Sequence, residues 1–92
     1  MSDNFSSGTL VTIGPLKAEL KLIGVRFNIV YYSTEQEKWL FDNKYSVIQF
    51  GTIGVVIDDL VTGYYGINAC KIVLVDNKLY CIFTIRLNLF NG

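Results

Sequence analysis

The C-terminal part of the chain carries the pattern that most restricts the fold. Asp76-Asn77 separates two apolar runs, residues 70–75 and 78–89. Asp and Asn tolerate the left-handed backbone that a two-residue hairpin turn requires, and β-branched residues on both sides favour strands. The sequence therefore predicts an antiparallel hairpin in which Val75 lies opposite Lys78.

The two faces of this hairpin differ in polarity, because side chains alternate along a strand. We expect the wholly apolar first face to lie in the core: Cys70, Ile72, Leu74, Leu79, Cys81, Phe83, Ile85, Leu87 and Leu89. We expect the mixed second face to need cover from the same chain or from another copy: Lys71, Val73, Val75, Lys78, Tyr80, Ile82, Thr84, Arg86, Asn88 and Phe90.

Short β-rich runs separated by turn signals indicate further strands. They are residues 9–13, 25–32, 45–50 and 53–57. Turn residues at 42–44, glycines at 51 and 54, and Asp58-Asp59 are expected to separate or end them, and residues 60–69 are expected to form an irregular loop. The sequence predicts an all-β or mainly β fold, a small single-domain antiparallel barrel or sandwich.

Two segments allow two interpretations each. Residues 16–22 alternate apolar and charged side chains, which favours a strand, although Pro15 and Gly24 could begin and end a helix. Residues 34–41 contain Thr34 followed three positions later by Glu37, the spacing of a helix capping box. A short helix and a wide hairpin loop are both compatible with that segment.

The N-terminus and the distribution of charge bear on location. Residues 1–8 are polar and are expected to form a flexible arm before a β domain spanning 9–92. They lack the basic start and apolar centre of a secretion signal, which predicts a cytoplasmic protein. The longest uncharged stretch, residues 45–57, is too short for a spanning helix, so we expect no membrane partner.

The titratable residues argue against an enzyme. The chain has no His, the commonest general base and metal ligand near neutral pH. Asp58 and Asp59 are adjacent, so on a strand they point to opposite faces and cannot act together on one substrate. Cys70 and Cys81 fit no metal-finger or CxxC spacing and are interpreted as buried free thiols. No catalytic, cofactor or metal site is predicted.

Aromatic and apolar side chains supply the candidate interface residues. Tyr64 and Tyr65 lie between two glycines, an arrangement that presents rings to a partner or packs one of them in the core. Trp39 either anchors a partner or closes the end of the core. Three further candidates come from the second face of the hairpin: Tyr80, Ile82 and Phe90.

The predicted function is a non-catalytic protein-binding or assembly module. Of the 92 residues 51% are hydrophobic and 17% charged, so a chain this small is expected to leave apolar surface for a second copy or another protein to cover. The alternative is a nucleic-acid or nucleotide binder that uses Tyr64, Tyr65 and scattered Lys and Arg. A formal net charge of zero makes nucleic acid the less favoured partner.

Overall fold

The described residues form seven strands and two single turns of 3₁₀ helix. The computed structural model describes residues 5–62 and 66–91. The strands are β1 (Leu10–Ile13), β2 (Gly24–Ser33), β3 (Lys38–Gln49), β4 (Ile53–Thr62), β5 (Gly66–Val75), β6 (Lys78–Phe83) and β7 (Leu87–Leu89). The helical turns are η1 (Lys17–Glu19) and η2 (Thr84–Arg86).

All strand pairs are antiparallel and belong to one sheet. The strand order is β3-β2-β6-β5-β4-β1-β7. The sheet curls so that side chains from all seven strands meet on its inner face. In the described part of the chain, β3 and β7 remain its two edges, so the barrel is open. The predicted mainly β fold is confirmed.

The main core lies on the inner face of the curled sheet. Its buried members are Val11, Ile13, Phe27, Ile48, Val56, Val73, Val75, Tyr80, Ile82 and Leu87. A smaller cluster of Val30, Cys70 and Ile72 lies on the outer face, with Trp39 packed against it. The assignment of the hairpin faces was therefore wrong: the second face supplies the main core, because the sheet curls toward it.

The predicted β5–β6 hairpin is confirmed up to Phe83. Val75 lies opposite Lys78, and Asp76 and Asn77 have φ angles of 52° and 66°, in the left-handed region that their side chains tolerate. Beyond Phe83 the expected alternation fails. The chain turns through η2 and then pairs with β1 as β7, so residues 84–90 do not continue the hairpin.

Residues 16–22 form neither the expected strand nor an α-helix. They contain η1, in which the Glu19 N–H donates to the Leu16 carbonyl over 2.8 Å. The Glu19 carboxylate accepts a hydrogen bond from the Leu16 N–H and forms an ion pair with Arg86. The segment is thus held by a contact with Arg86, which lies 67 residues further along the chain than Glu19.

No helix forms over residues 34–41, so that alternative was wrong. Residues 34–37 make the turn between β2 and β3, and β3 begins at Lys38. The Gln36 N–H donates to the Ser33 hydroxyl, and Glu37 takes the positive φ of 55°. β-Branched and aromatic residues on both sides favour strand pairing, which outweighs the capping spacing of Thr34.

The expected turn at residues 42–44 is a bulge inside β3. Val30 lies opposite Phe41 and Asn28 opposite Tyr45, so three residues of β3 stand against one residue of β2. Within the bulge the Lys44 N–H donates to the Asp42 carboxylate over 3.2 Å. Turn-forming residues therefore interrupt the strand without ending it.

Asp58-Asp59 does not end β4, and residues 60–69 are not wholly a loop. β4 continues to Thr62 and β5 begins at Gly66. The strand continues because Asp59 lies opposite Lys71 on β5 and forms an ion pair with it. A local bulge separates the pairings of Val56 and Asp58.

The described end of the N-terminal segment contacts β4. The Gly8 N–H donates to the Val56 carbonyl, and the Ser7 hydroxyl donates to the Ile57 carbonyl, both over 2.7 Å. Phe5 packs against the main core. Residues 1–4 of the predicted arm lie outside the described residues. Among the described residues there is no helix long and apolar enough to cross a membrane.

Candidate functional site

A row of apolar side chains crosses the outer face of the sheet. We call it the apolar belt; its members, from β7 to β3, are Phe90, Leu10, Val55, Leu74, Leu79, Val30 and Phe41. The register places Leu10 opposite Val55, Val55 opposite Leu74, Leu74 opposite Leu79, and Val30 opposite Phe41. The Phe90 N–H donates to the Leu10 carbonyl, and Leu79 packs against the cluster that contains Val30.

The apolar belt is exposed at both of its ends. Leu10 is 46% exposed, and Phe90 and Phe41 are also exposed. Between these ends Val55, Leu74 and Leu79 are half-buried, and Val30 is buried. Alternation explains the row on the inner strands, since Val11, Val56, Val73 and Tyr80 beside belt residues face the core. The alternation can be read from the sequence, but the alignment of these residues depends on which strands pair and in what register.

Two of the candidate interface residues lie in the core. Tyr80 is 4% exposed and Ile82 is 0% exposed, and both pack on the inner face. Their prediction as interface residues was wrong, because it assumed that the opposite face of the hairpin would form the core. Both residues therefore stabilise the single folded chain and are unavailable to a partner.

The other candidates have different positions. Phe90 is exposed in the apolar belt. Trp39 is half-buried against the outer cluster, and its ring meets the Tyr32 ring edge-on, with centroids 5.3 Å apart. It therefore extends the apolar belt above the buried Val30. Tyr64 and Tyr65 lie outside the described residues.

Two of the basic residues considered for nucleic-acid binding are buried in ion pairs. Lys71 is paired with Asp59. Arg86 donates two hydrogen bonds to the Glu19 carboxylate, one of them over 2.8 Å, and its guanidinium lies 5.8 Å from the centre of the Phe27 ring. Neither cation is placed to contact a phosphate backbone.

The Arg86–Glu19 pair makes the stability of the fold depend on pH. The hydrogen bond from Arg86 is the main reason that the pKa of Glu19 lies below its ordinary value of 4.5. A lowered carboxyl pKa stabilises the folded state above the ordinary pKa, and this contribution is lost as the pH falls through the lowered value. We expect the Tm difference between wild type and Glu19→Gln to shrink on acidification below about pH 4.5.

Thermal unfolding followed by circular dichroism at several pH values measures this difference. Glu35→Gln, in the exposed turn between β2 and β3, is the matched control. Its Tm difference from wild type should be small throughout. A Tm deficit of Glu19→Gln that stays constant across the acid range would contradict the assignment.

A cavity lies where β2 and β6 separate. The ladder between them has two residue pairs, Asn28 with Cys81 and Ile29 with Tyr80. Beyond Asn28 a cavity of about 160 Å³ opens through the sheet. Its walls include two arginines, Arg26 and Arg86, together with both cysteines and three phenylalanine rings.

The two thiols of this cavity contact each other. Each side chain influences the pKa of the other. Burial is the main reason that the pKa values of both thiols are raised, so both are protonated near neutral pH. Cys70 is buried in the outer cluster, and Cys81 packs against it. Both are free thiols; Cys70 is buried as predicted, whereas Cys81 is half-buried.

The described residues contain no group of three or more His, Cys, Asp or Glu side chains that could hold a metal ion. Asp58 and Asp59 do not converge: Asp59 pairs with Lys71, whereas the Asp58 carboxylate accepts the Asp59 N–H. The candidate surface that the strand pairing brings together is the apolar belt. No protein-family model, curated protein or solved structure matches this chain.

Proposed function

We propose that the protein is a non-catalytic assembly module that self-associates through the apolar belt. One observation carries this proposal: the strand register and the Phe90–Leu10 backbone hydrogen bond bring apolar side chains together across the outer face, and those at both ends are exposed. Contiguous exposed apolar surface on a small protein commonly marks an interaction site. Burying it against a second copy would remove that surface from water.

The length of the apolar belt suits an interface of standard size. Six interstrand spacings of about 4.8 Å give a row roughly 29 Å long. A standard protein interface buries about 800 Å² on each partner, which corresponds to a round patch roughly 32 Å across. Because the sheet curls, this length is measured around its outside, and a second copy would cover the stretch of the belt that faces it.

The composition of the apolar belt favours a second copy of this chain as the partner. None of its members is charged. Two identical belts can therefore face each other without like-charge repulsion, as a twofold contact between the same surfaces requires. The whole chain also has a formal net charge of zero, so no long-range repulsion opposes the encounter.

Leu10→Asp is expected to convert an oligomeric wild type to a folded monomer. A twofold contact contains Leu10 twice, and losing about 1.5 kcal/mol of apolar burial at each copy weakens the Kd roughly 100-fold. Native mass spectrometry and sedimentation velocity over a concentration series measure the change. Far-UV circular dichroism checks that the variant remains folded.

Leu20→Asp is the matched control for this experiment. Leu20 is 70% exposed, more than Leu10, but follows η1 and lies outside the apolar belt. We expect it to retain the wild-type assembly. A monomeric wild type over the whole concentration range would reject self-association. Loss of assembly in Leu20→Asp alone would instead place the contact near η1.

A further inference from the structure

We propose that Cys70 and Cys81 form a two-thiolate site for a soft monovalent cation, Cu(I), in the cavity between β2 and β6. Both cysteines line this cavity of about 160 Å³, and each contributes its side chain from a different strand. The site does not depend on the apolar belt or on self-association. Its argument rests on the placement of the sulfur atoms, the charges around them and the available ligands.

The strand register places the two cysteines diagonally. Cys70 lies opposite Phe83, and Cys81 lies opposite Ile72, so the thiols share the outer face but are offset by two residues. Diagonal neighbours have Cα atoms about 7–8 Å apart, whereas a disulfide requires about 4.4–6.8 Å. The two side chains nevertheless line the same cavity. This arrangement suits an ion held between them better than a direct bond.

The number of ligands selects the class of cation. Thiolates prefer soft ions such as Cu(I), and two of them on opposite sides give the linear coordination that this ion accepts. Structural zinc sites usually need four ligands. Among the described residues no third His, Cys, Asp or Glu joins a group with these thiols. Zinc is therefore expected to bind much more weakly than Cu(I).

The charges around the cavity suit the complex that would form. Binding breaks two S–H bonds, releases two protons to solvent and forms two Cu–S bonds without a change of oxidation state. The complex carries one negative charge, and Arg26 and Arg86 line the same cavity. Arg86 is shared with Glu19, whereas Arg26 contacts the Tyr45 hydroxyl and ring. Because Arg26 is exposed, its charge would offset that of the complex only in part.

The protons that the two thiols carry would make the binding depend on pH. A Cys thiol ordinarily keeps its proton near neutral pH, so the cation must displace two protons. The affinity should therefore rise about 100-fold for each unit of increasing pH. This pH dependence distinguishes a two-thiolate site from binding to one cysteine.

The test is an anaerobic titration of the fully reduced, full-length protein with Cu(I), against the coloured chelator bicinchoninate. We expect one Cu(I) ion per chain, two sulfur neighbours in X-ray absorption spectra and a slope of two protons released per ion. A slope of one proton, or a nitrogen or oxygen neighbour in the spectra, would overturn the assignment. So would Zn(II) binding as tightly as Cu(I).

Single substitutions provide the second measurement. Cys81→Ser and Cys70→Ser should each weaken Cu(I) binding by at least about 100-fold, since each removes one of two ligands. Retention of wild-type affinity in either variant would overturn the proposal. Cys70 is buried, so circular dichroism checks both folds. If Cys70→Ser does not fold, Cys81→Ser and the proton slope of wild type still decide the outcome.

Discussion

The Ile82→Asn variant is expected to lose more than about 4 kcal/mol of folding free energy. Ile82 is 0% exposed in the main core, where an amide without hydrogen-bond partners would replace an aliphatic side chain. A domain of this size has a total stability of roughly 5–14 kcal/mol, so the loss is between about a third of that stability and nearly all of it.

Ile85→Asn is the matched control for Ile82→Asn. Ile85 lies three residues further along the chain, in η2, and is 73% exposed. The same substitution there should change the free energy of unfolding by less than about 0.5 kcal/mol. Urea denaturation measures both variants. A monomeric Ile82→Asn protein with wild-type stability would show that Ile82 belongs to an interface and would refute the described core.

Gly54→Ala is expected to destabilise the fold by about 1–3 kcal/mol. A Cβ atom at Gly54 would lie 2.6 Å from Cγ1 of Val73 and 2.9 Å from Cγ2 of Val75. Both valines are buried and β-branched, so their methyl groups have little freedom to move. The close approach of β4 to β5 in the core therefore requires glycine at this position.

A double-mutant cycle tests the contact at Gly54 directly. Val73→Ala removes the methyl group that lies nearest to the added Cβ atom. In that background Gly54→Ala should cost at least about 1 kcal/mol less than in wild type. Urea denaturation of the wild type, the two single variants and the double variant gives the coupling. Additive free energies would show that this contact does not explain the effect of Gly54→Ala.

Local patterns predicted much of the β structure. Asp76-Asn77 specifies its turn through backbone conformation, and β5 and β6 pair as that turn requires. The inward and outward faces of this hairpin could not be derived in the same way. Both faces are rich in apolar side chains, so alternation separates them without indicating which one the curled sheet encloses.

Contacts between distant residues decided the elements that were predicted wrongly. The charged alternation of residues 16–22 indicated a strand, but Arg86 binds Glu19 and holds the segment as a helical turn. Asp59 was expected to end β4, but its pairing with Lys71 allows the strand to continue. A single strand pattern contains no information about either partner.

The candidate site was predictable only in general terms. A high apolar fraction indicated surface that needs cover, but the apolar belt depends on how seven strands are ordered in the sheet. Phe90 was selected for its position on the hairpin and does lie in the belt. Leu10 was missed because its neighbour Val55 lies on a strand far away in sequence, and Phe41 because residues 34–41 were not predicted as a strand.

The bulge in β3 limits the ways in which copies of this protein can join. β3 is a long edge strand, and a straight edge of this kind can pair with another copy by backbone hydrogen bonds and extend without limit. The three residues from Asp42 to Lys44 divide that edge into two short pieces. Filament growth is thereby discouraged, whereas a face-to-face contact through a twofold axis closes on itself and stops.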